Sequence, residues 1–373
     1  MKVAFETTPL FTGRAGVARY VRGLLAALKS EPPDAVEILE LGWAVENFSY
    51  RQPARALKTL AREWGWAPFV APRRARGVEL VHHTALPIMP FFPGSRHVVT
   101  LHDLAVVRYP ERFRTWQRTA GQRRLRRIVA ADHIIAVSQF TADEAMNVLG
   151  LPAHRISVVY EGGGLPPTSP VNGAEAPVAN APASEAGMPA DFFLFVGSLE
   201  PGKNLALLRE IYEQAGSSSL PPLVVVGARW PGVAREGAPP AHWRFLGHVS
   251  DAQLARLYGS ARALLFPSRY EGFGLPVVEA MAHGCPVICG PVASLPEVGG
   301  DAVCYAPLTG AGFGAAMRRV LDDEGWVAQL RAAGCRQASR FSWERCARET
   351  LAVYASVRDG RATSAPAPTR RRS

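Results

Sequence analysis

The sequence predicts an α/β protein made of two parallel-sheet domains of similar plan. Three observations carry this. Short β-type apolar runs alternate with helical stretches, the pattern of a parallel sheet covered by helices. The texture then breaks over 165–190, where Pro, Ala, Ser and Gly dominate and no apolar face repeats. A second alternating series follows. A chain of 373 residues has room for two cores, and 48% hydrophobic with 20% charged residues describes a globular protein rather than a disordered one. Two such halves joined by a linker imply a cleft between them, the usual place for a ligand.

In the first half, strands are expected over 2–7, 37–41, 78–83, 97–101, 133–137 and 156–160, with helices over 17–29, 111–131 and 139–149. The second half has strand-like runs over 192–196, 223–226, 243–249, 264–266, 286–289 and 302–306. A last amphipathic helix is expected over 344–357, followed by a tail, 358–373, with nothing to bury. No repeat of solenoid period is present.

The net charge of +10 is uneven. Residues 1–170 carry 22 Lys/Arg and 14 Asp/Glu, a net of +8. Between Arg108 and Arg127, eight arginines meet one acid, Glu111. A solvated helix face explains such a run, and so does contact with an anionic membrane surface or a lipid-linked acceptor. Nucleic acid ranks lower, because only Phe113 and Trp116 interleave for base stacking. Five cysteines without CxxC spacing fit free thiols in a reducing compartment. The start of the chain is too short in apolar residues for a signal peptide, and no segment reaches bilayer length. The expectation is a cytoplasmic protein, peripheral at the inner face of the plasma membrane if the arginines meet lipid.

The most informative string is RYEGFGLPVVEAMAHG at 269–284. It holds Glu271 and Glu279 eight positions apart across a glycine turn, with Pro276 at the start of a helix. A strand feeding a glycine turn at a helix N-terminus suits an anionic group, and the flanking carboxylates can grip hydroxyls on either side. A sugar nucleotide offers hydroxyls, diphosphate and hydroxyls in that order. Glutamate pairs at this spacing are common by themselves, but the whole string resembles the E-x7-E signature of retaining glycosyltransferases of the GT-B fold, family 4. That resemblance implies two Rossmann-like parallel-sheet domains facing a central cleft. The first, 1–164, would bind acceptor, and the second, 191–341, the nucleotide sugar. The final helix would pack back on the first domain.

Other segments extend the resemblance. GSLEPGKN, 197–204, places Lys203 at a helix start, where it resembles the family's diphosphate lysine; a lone loop lysine is otherwise plain surface. The family's supporting arginine is missing, with Ser198 and Gly202 at the two usual places. Arg229 at the next strand end is the candidate substitute. TLHDL, 100–104, resembles the family's cleft-histidine segment, so His102 is expected to face the transferred sugar; a backbone-bonded core histidine and a turn-capping Asp103 are the plainer readings. Gly16 matches the family's first glycine loop, while Ala18 stands in place of the second glycine. Ser138 reads as a helix N-cap.

The resemblance implies these roles. Glu279 would hold the ribose, and Glu271 hydroxyls of the donor sugar. Backbone N–H groups of Phe273, Gly274 and Leu275 would meet sugar and phosphate oxygens. With Gly16 and Ser198 these line the nucleotide-sugar site. Lys203 would neutralise the leaving diphosphate. No protein nucleophile is evident, which implies a front-face path with retention. No metal or other cofactor is expected: there is no D-x-D motif, Asp322-Asp323 lie far from any motif, and adjacent His82 and His83 point to opposite faces of a strand. The expected partners are a GDP- or UDP-linked hexose of mannose or glucose type and a glycan or lipid-linked acceptor. A sugar-nucleotide epimerase or hydrolase of the same fold remains open, as does a non-catalytic anion- or membrane-binding protein.

Overall fold

The computed structural model describes residues 1–12, 15–32, 35–44, 53–163, 188–215, 219–228, 240 and 242–360. The expected linker, except its last three residues, lies outside that set, as do Arg229 and the tail beyond residue 360. The described chain forms two compact units. One runs from Met1 to Gly162 and takes in the chain from Trp343; the other is Gly163–Ser342.

The first unit contains β1 (Lys2–Glu6), α1 (Ala15–Ser30), β2 (Glu37–Leu41), α2 (Pro53–Ala61), a π-helical segment (Arg62–Val70), α3 (Ala71–Arg74), β3 (Leu80–His83), β4 (Arg96–Leu101), α4 (Ala105–Arg108), α5 (Thr115–Ile128), β5 (His133–Ala136), α6 (Gln139–Leu149) and β6 (Ile156–Val158). All six strands run parallel in the order β2-β1-β3-β4-β5-β6. Strand alternation divides their side chains between two covers. Ala4, Val81, Val99, Leu101 and Ile134 pack under the π-helical segment, α3, α5 and α6.

The opposite face meets α1 and the C-terminal helix, α13 (Trp343–Arg358). Here Tyr20 hydrogen-bonds Thr100 at 2.9 Å, and His82 bonds Thr100 at 2.8 Å and Tyr354 at 2.5 Å. Trp343 anchors α13: a Cβ at Gly23 or Gly162 would lie 2.3 Å from its indole. His83, one residue on from His82, turns to the other face and bonds His97 at 3.1 Å. The two adjacent histidines therefore share no ligand position.

The second unit contains β7 (Phe193–Val196), α7 (Leu205–Ala215), β8 (Leu223–Val226), β9 (Trp243–Gly247), α8 (Asp251–Ser260), β10 (Leu264–Phe266), α9 (Leu275–Ala282), β11 (Val287–Cys289), α10 (Leu295–Gly299), β12 (Cys304–Tyr305), α11 (Gly310–Asp322) and α12 (Glu324–Ala338). Its parallel order is β12-β11-β10-β7-β8-β9. Phe193, Phe195, Val225 and Leu265 pack beneath α7 and α11, while α9 covers β10 and β11 from the other side. Strands buried on both faces read as continuous apolar runs, which is why LVVV and FLFV were legible. Both units are thus doubly wound α/β folds, together the two-domain GT-B architecture.

Two expectations need correction. The helix expected over 111–131 begins only at Thr115: a 3-10 turn, Pro110–Arg112, precedes it, and Arg114 is extended, its N–H bonded to the Gln117 side chain at 3.0 Å. No element is expected from the sequence over 53–74, yet α2, the π-helix and α3 stand there. Apolar residues lie on both sides of that run, and Gly65 and Pro68 interrupt it, so no single 3.6-residue stripe marks it.

Candidate active site

In the second unit the chain builds outward from β7 through β8 and β9, then returns to lay β10 on β7's other side. Such a reversal opens a crevice at the carboxyl ends of the two strands. The loops after β7 and β10 consequently emerge side by side, and they carry Lys203 and Glu271. After β7, a 3-10 turn (Pro201–Lys203) is capped by Glu200, whose carboxylate accepts the Gly202 N–H at 2.9 Å. Asn204 closes the turn in the left-handed region, φ 58°. A bond from Arg269 N–H to the Gly202 carbonyl, 2.9 Å, ties the two loops together.

The Lys203 ammonium donates to Glu271 Oε1 at 2.5 Å and lies 5.4 Å over the Phe266 ring. The pair is only partly covered, with side-chain exposures of 18% and 12%. An ammonium has three donors, so Lys203 can meet an anion while holding Glu271.

The glycine turn leads directly into α9, with Gly274 at φ 105° and Pro276 second in the helix. A Cβ on Gly274 would stand 2.9 Å from Leu295. Among the described residues, the N–H groups of Gly274 and Leu275 have no acceptor in the protein. They are donors at a positive helix end, arranged before any ligand arrives.

The turn is held from below by Ser294. Its buried hydroxyl lies 3.0 Å from the Glu271 carbonyl and 2.8 Å from that of Phe273, and its N–H bonds the Glu271 carbonyl at 3.4 Å. The preceding Ala293 takes a left-handed conformation, φ 52°, to bring this about. Glu279 is fully buried on α9, where the Tyr258 hydroxyl donates to it at 3.1 Å. Ser198 is half-buried at the end of β7.

In the first unit the order reverses between β1 and β3. His102 follows β4 at the same carboxyl edge. Its Nδ1 lies 3.0 Å from Glu161 Oε1 and its Nε2 lies 2.9 Å from the Thr84 carbonyl. A carbonyl only accepts, so Nε2 donates to Thr84, and Nδ1 faces the Glu161 carboxylate, an arrangement that favours the imidazolium form. Burial works against that charge, but the Glu161 carboxylate and the Thr84 carbonyl outweigh it and raise the pKa above the ordinary value.

Asp103 caps the following turn, accepting the Ala105 N–H at 2.9 Å, and Ser138 caps α6 through the Thr141 N–H at 3.0 Å. Gly16 is exposed in the first turn of α1, with open space around it; Gly13 and Arg14 lie outside the described residues. Among the described residues no three His, Cys, Asp or Glu side chains gather as metal ligands.

Glu161, Thr84, Tyr258 and Ser294 were not singled out from the sequence. Glu161 carried a usable signal, a lone acid just beyond a parallel strand. Ser294 carried none, since its partners are carbonyls about twenty residues away.

Two family models match the chain: Glycosyltransferase Family 4 over residues 14–162, and Glycosyl transferases group 1 over residues 190–323. O-antigen chain mannosyltransferase B of Escherichia coli is 33% identical over 280 residues, covering 70% of each chain. The chain belongs to glycosyltransferase family 4. Solved structures with the same fold include sucrose-phosphate synthase from Thermosynechococcus elongatus, with a TM-score of 0.69 and 20% identity, covering 96% of this chain and 100% of that one. Anabaena HepE, solved in complex with UDP-glucose, gives a TM-score of 0.67 at 18% identity, over 95% and 100% of the two chains. The glycosyltransferase thus presents one charged cluster at the strand ends of each unit.

Proposed function

We propose that this glycosyltransferase moves a hexose of mannose or glucose type from a GDP- or UDP-linked donor to a hydroxyl of a glycan or lipid-linked acceptor, with retention, in cell-surface polysaccharide or glycolipid synthesis. The observation that carries the reading is the meeting of Lys203, Glu271 and the unpaired Gly274 and Leu275 N–H groups at the strand reversal of the second unit. A cation and oriented donors next to a carboxylate fit a diphosphate flanked by sugar hydroxyls. The E. coli relative named as a mannosyltransferase supports mannose, and the HepE complex with UDP-glucose supports glucose and UDP; GDP rests on the family resemblance alone.

In this reading Lys203 takes the charge that grows on the leaving diphosphate, and Glu271 orients the sugar. Phe273, Gly274, Leu275, Ser198 and Gly16 line the donor. Glu279 holds the ribose, exchanging part of its present bonding to do so. His102, both ring nitrogens already engaged, presents its ring edge near the transferred sugar. The reaction proceeds without a metal, through a front-face path in which the leaving phosphate accepts the acceptor's proton. The arginine-rich 108–127 stretch contacts anionic lipid at the inner face of the plasma membrane.

Calorimetric titration with UDP, GDP and ADP tests the site. One nucleotide should bind, with at least about tenfold weaker affinity in Lys203→Ala, and transfer by that variant should fall about 100-fold. Binding that ignores the substitution overturns the site. Turnover of the sugar nucleotide at full rate without acceptor points instead to an epimerase or hydrolase.

A further inference from the structure

The π-helical segment with α3 and, beside it, α5 cover the same face of the first unit's sheet and touch through an Arg124–Glu63 ion pair at 2.9 Å, while α2, which buries no residue, leads into the π segment. Their inner sides are well packed: Trp66, Ala67, Ala71, Leu125 and Ile128 are all buried. Their outer side is unusual. Leu57 is 69% exposed, Leu60 50%, Trp64 76% and Phe69 58%. Spacing of three and four residues aligns Leu57, Leu60 and Trp64. The wider π turn carries the line on to Phe69, five residues later. Trp116 on α5 adds a further exposed aromatic ring. Stripes of this size on a folded surface mark a binding face.

The surrounding charge identifies what binds. Residues 53–74 and 115–128 hold ten Lys/Arg and one acid, Glu63. That acid is already bonded by Arg62 and Arg124, both at 2.8–2.9 Å. Several arginines of the 108–127 stretch are spent on the fold: Arg108 pairs with Glu144, and Arg127 donates to the Ile88 carbonyl at 3.0 Å. Arg118, Arg123 and Arg126 are exposed and make no ion pair among the described residues. A second copy docking by two-fold symmetry would set this cationic face against itself. Nucleic acid would use the arginines but leave the aliphatic stripe in water. An anionic bilayer uses both, taking Trp, Phe and Leu at the acyl boundary and arginines at the phosphates.

We propose that the outer layer of the first unit is a docking surface for an anionic lipid bilayer, in which Leu57, Leu60, Trp64 and Phe69 enter the headgroup–acyl boundary while Arg118, Arg123 and Arg126 meet lipid phosphates. This rests on the membrane contact proposed above and moves its centre from the arginines to an apolar stripe that no single helical period marks in the sequence. It does not depend on which nucleotide the second unit binds.

The test is co-sedimentation of the full chain with phosphatidylcholine vesicles, plain or containing about 30 mol% phosphatidylglycerol. The chain should bind the anionic vesicles only. Partitioning should fall about tenfold or more in Trp64→Ser/Phe69→Ser and, independently, in Leu57→Ser/Leu60→Ser. Nucleotide binding measured on the same variants should be unchanged, which separates failure of docking from failure of the donor site. The proposal is overturned if the chain ignores anionic vesicles, or if both stripe variants bind them as well as the parent does. It is equally overturned if the substitutions convert a dimer to a monomer in sedimentation velocity, because the stripe is then a contact between copies.

Discussion

The two units share a doubly wound plan but are filled differently. The second unit's sheet is sealed by Phe, Leu, Val and cysteine, with Cys285 and Cys289 buried as free thiols. The first unit buries four histidines, His82, His83, His97 and His133, in its strands. Burial drives His82 down to about 3, and His97 and His133 to about 4, so all three are neutral in the fold. Their functional clusters differ in the same sense. His102 is locked through both nitrogens to a carboxylate and a carbonyl. Lys203 holds Glu271 through one of its three N–H donors. The two cations are covered to a similar degree, 14% and 18% exposed, so the difference lies in bonding: the His102 ring has both polar atoms engaged, and the Lys203 ammonium keeps donors to spare.

Acid should separate the units most strongly. The unfolded chain protonates each of the three histidines near pH 6.5 while the fold does not, so the unfolded state binds more protons and stability falls as pH drops from about 6.5 toward 4. Each contributes up to about 1.4 kcal/mol per pH unit in that window. Two unfolding transitions by calorimetry should draw apart below pH 6.5, with that of the first unit falling by several kcal/mol. Transitions that move together would remove the contrast.

Backbone geometry gives the next effect, in the second unit. Gly227 has φ 133°, and a Cβ there would lie 1.9 Å from the Gly197 carbonyl oxygen, at the base of the Lys203 loop. Gly227→Ala should cost about 3 kcal/mol or more in denaturant unfolding and loosen nucleotide binding. Parent-like stability would show that the loop relaxes freely.

Glu161→Gln sharpens the comparison of the two charges. It should lower the pKa of His102, read from imidazole nitrogen shifts by NMR. The His102 pKa is raised in the fold, so the stability it confers is complete below the unfolded value near 6.5 and is lost as pH rises through the folded value. The variant's deficit, about 1.5–3 kcal/mol, should therefore be greatest in mild acid and shrink in alkali. An unchanged His102 titration would mean that Glu161 does not hold the proton.

The smallest effect is expected at Ala293, whose left-handed backbone sets Ser294 under the glycine turn. Ala293→Gly should raise stability by about 0.5 kcal/mol by relieving that conformation, with donor binding retained. A loss of stability would place the strain elsewhere.

By itself the sequence determined the α/β class, the two series of strands and the glycine-turn glutamates, because strand periodicity and turn chemistry are local. Lys203 and Glu271 could each be read in the same way from the segments around them. Their contact could not, since it arises from the reversal of strand order between β7 and β10, across 68 residues of chain. Glu161 became His102's partner because β4 and β6, on either side of β5, end at the same carboxyl edge of the sheet, 59 residues apart in the chain. The exposed stripe over residues 57–69 escaped notice because apolar residues face both inward and outward there, and only packing against the sheet shows which side is left uncovered. Local chemistry is written along the chain; the pairing of distant charges and the choice of a bare face follow from topology, which no short stretch of residues contains.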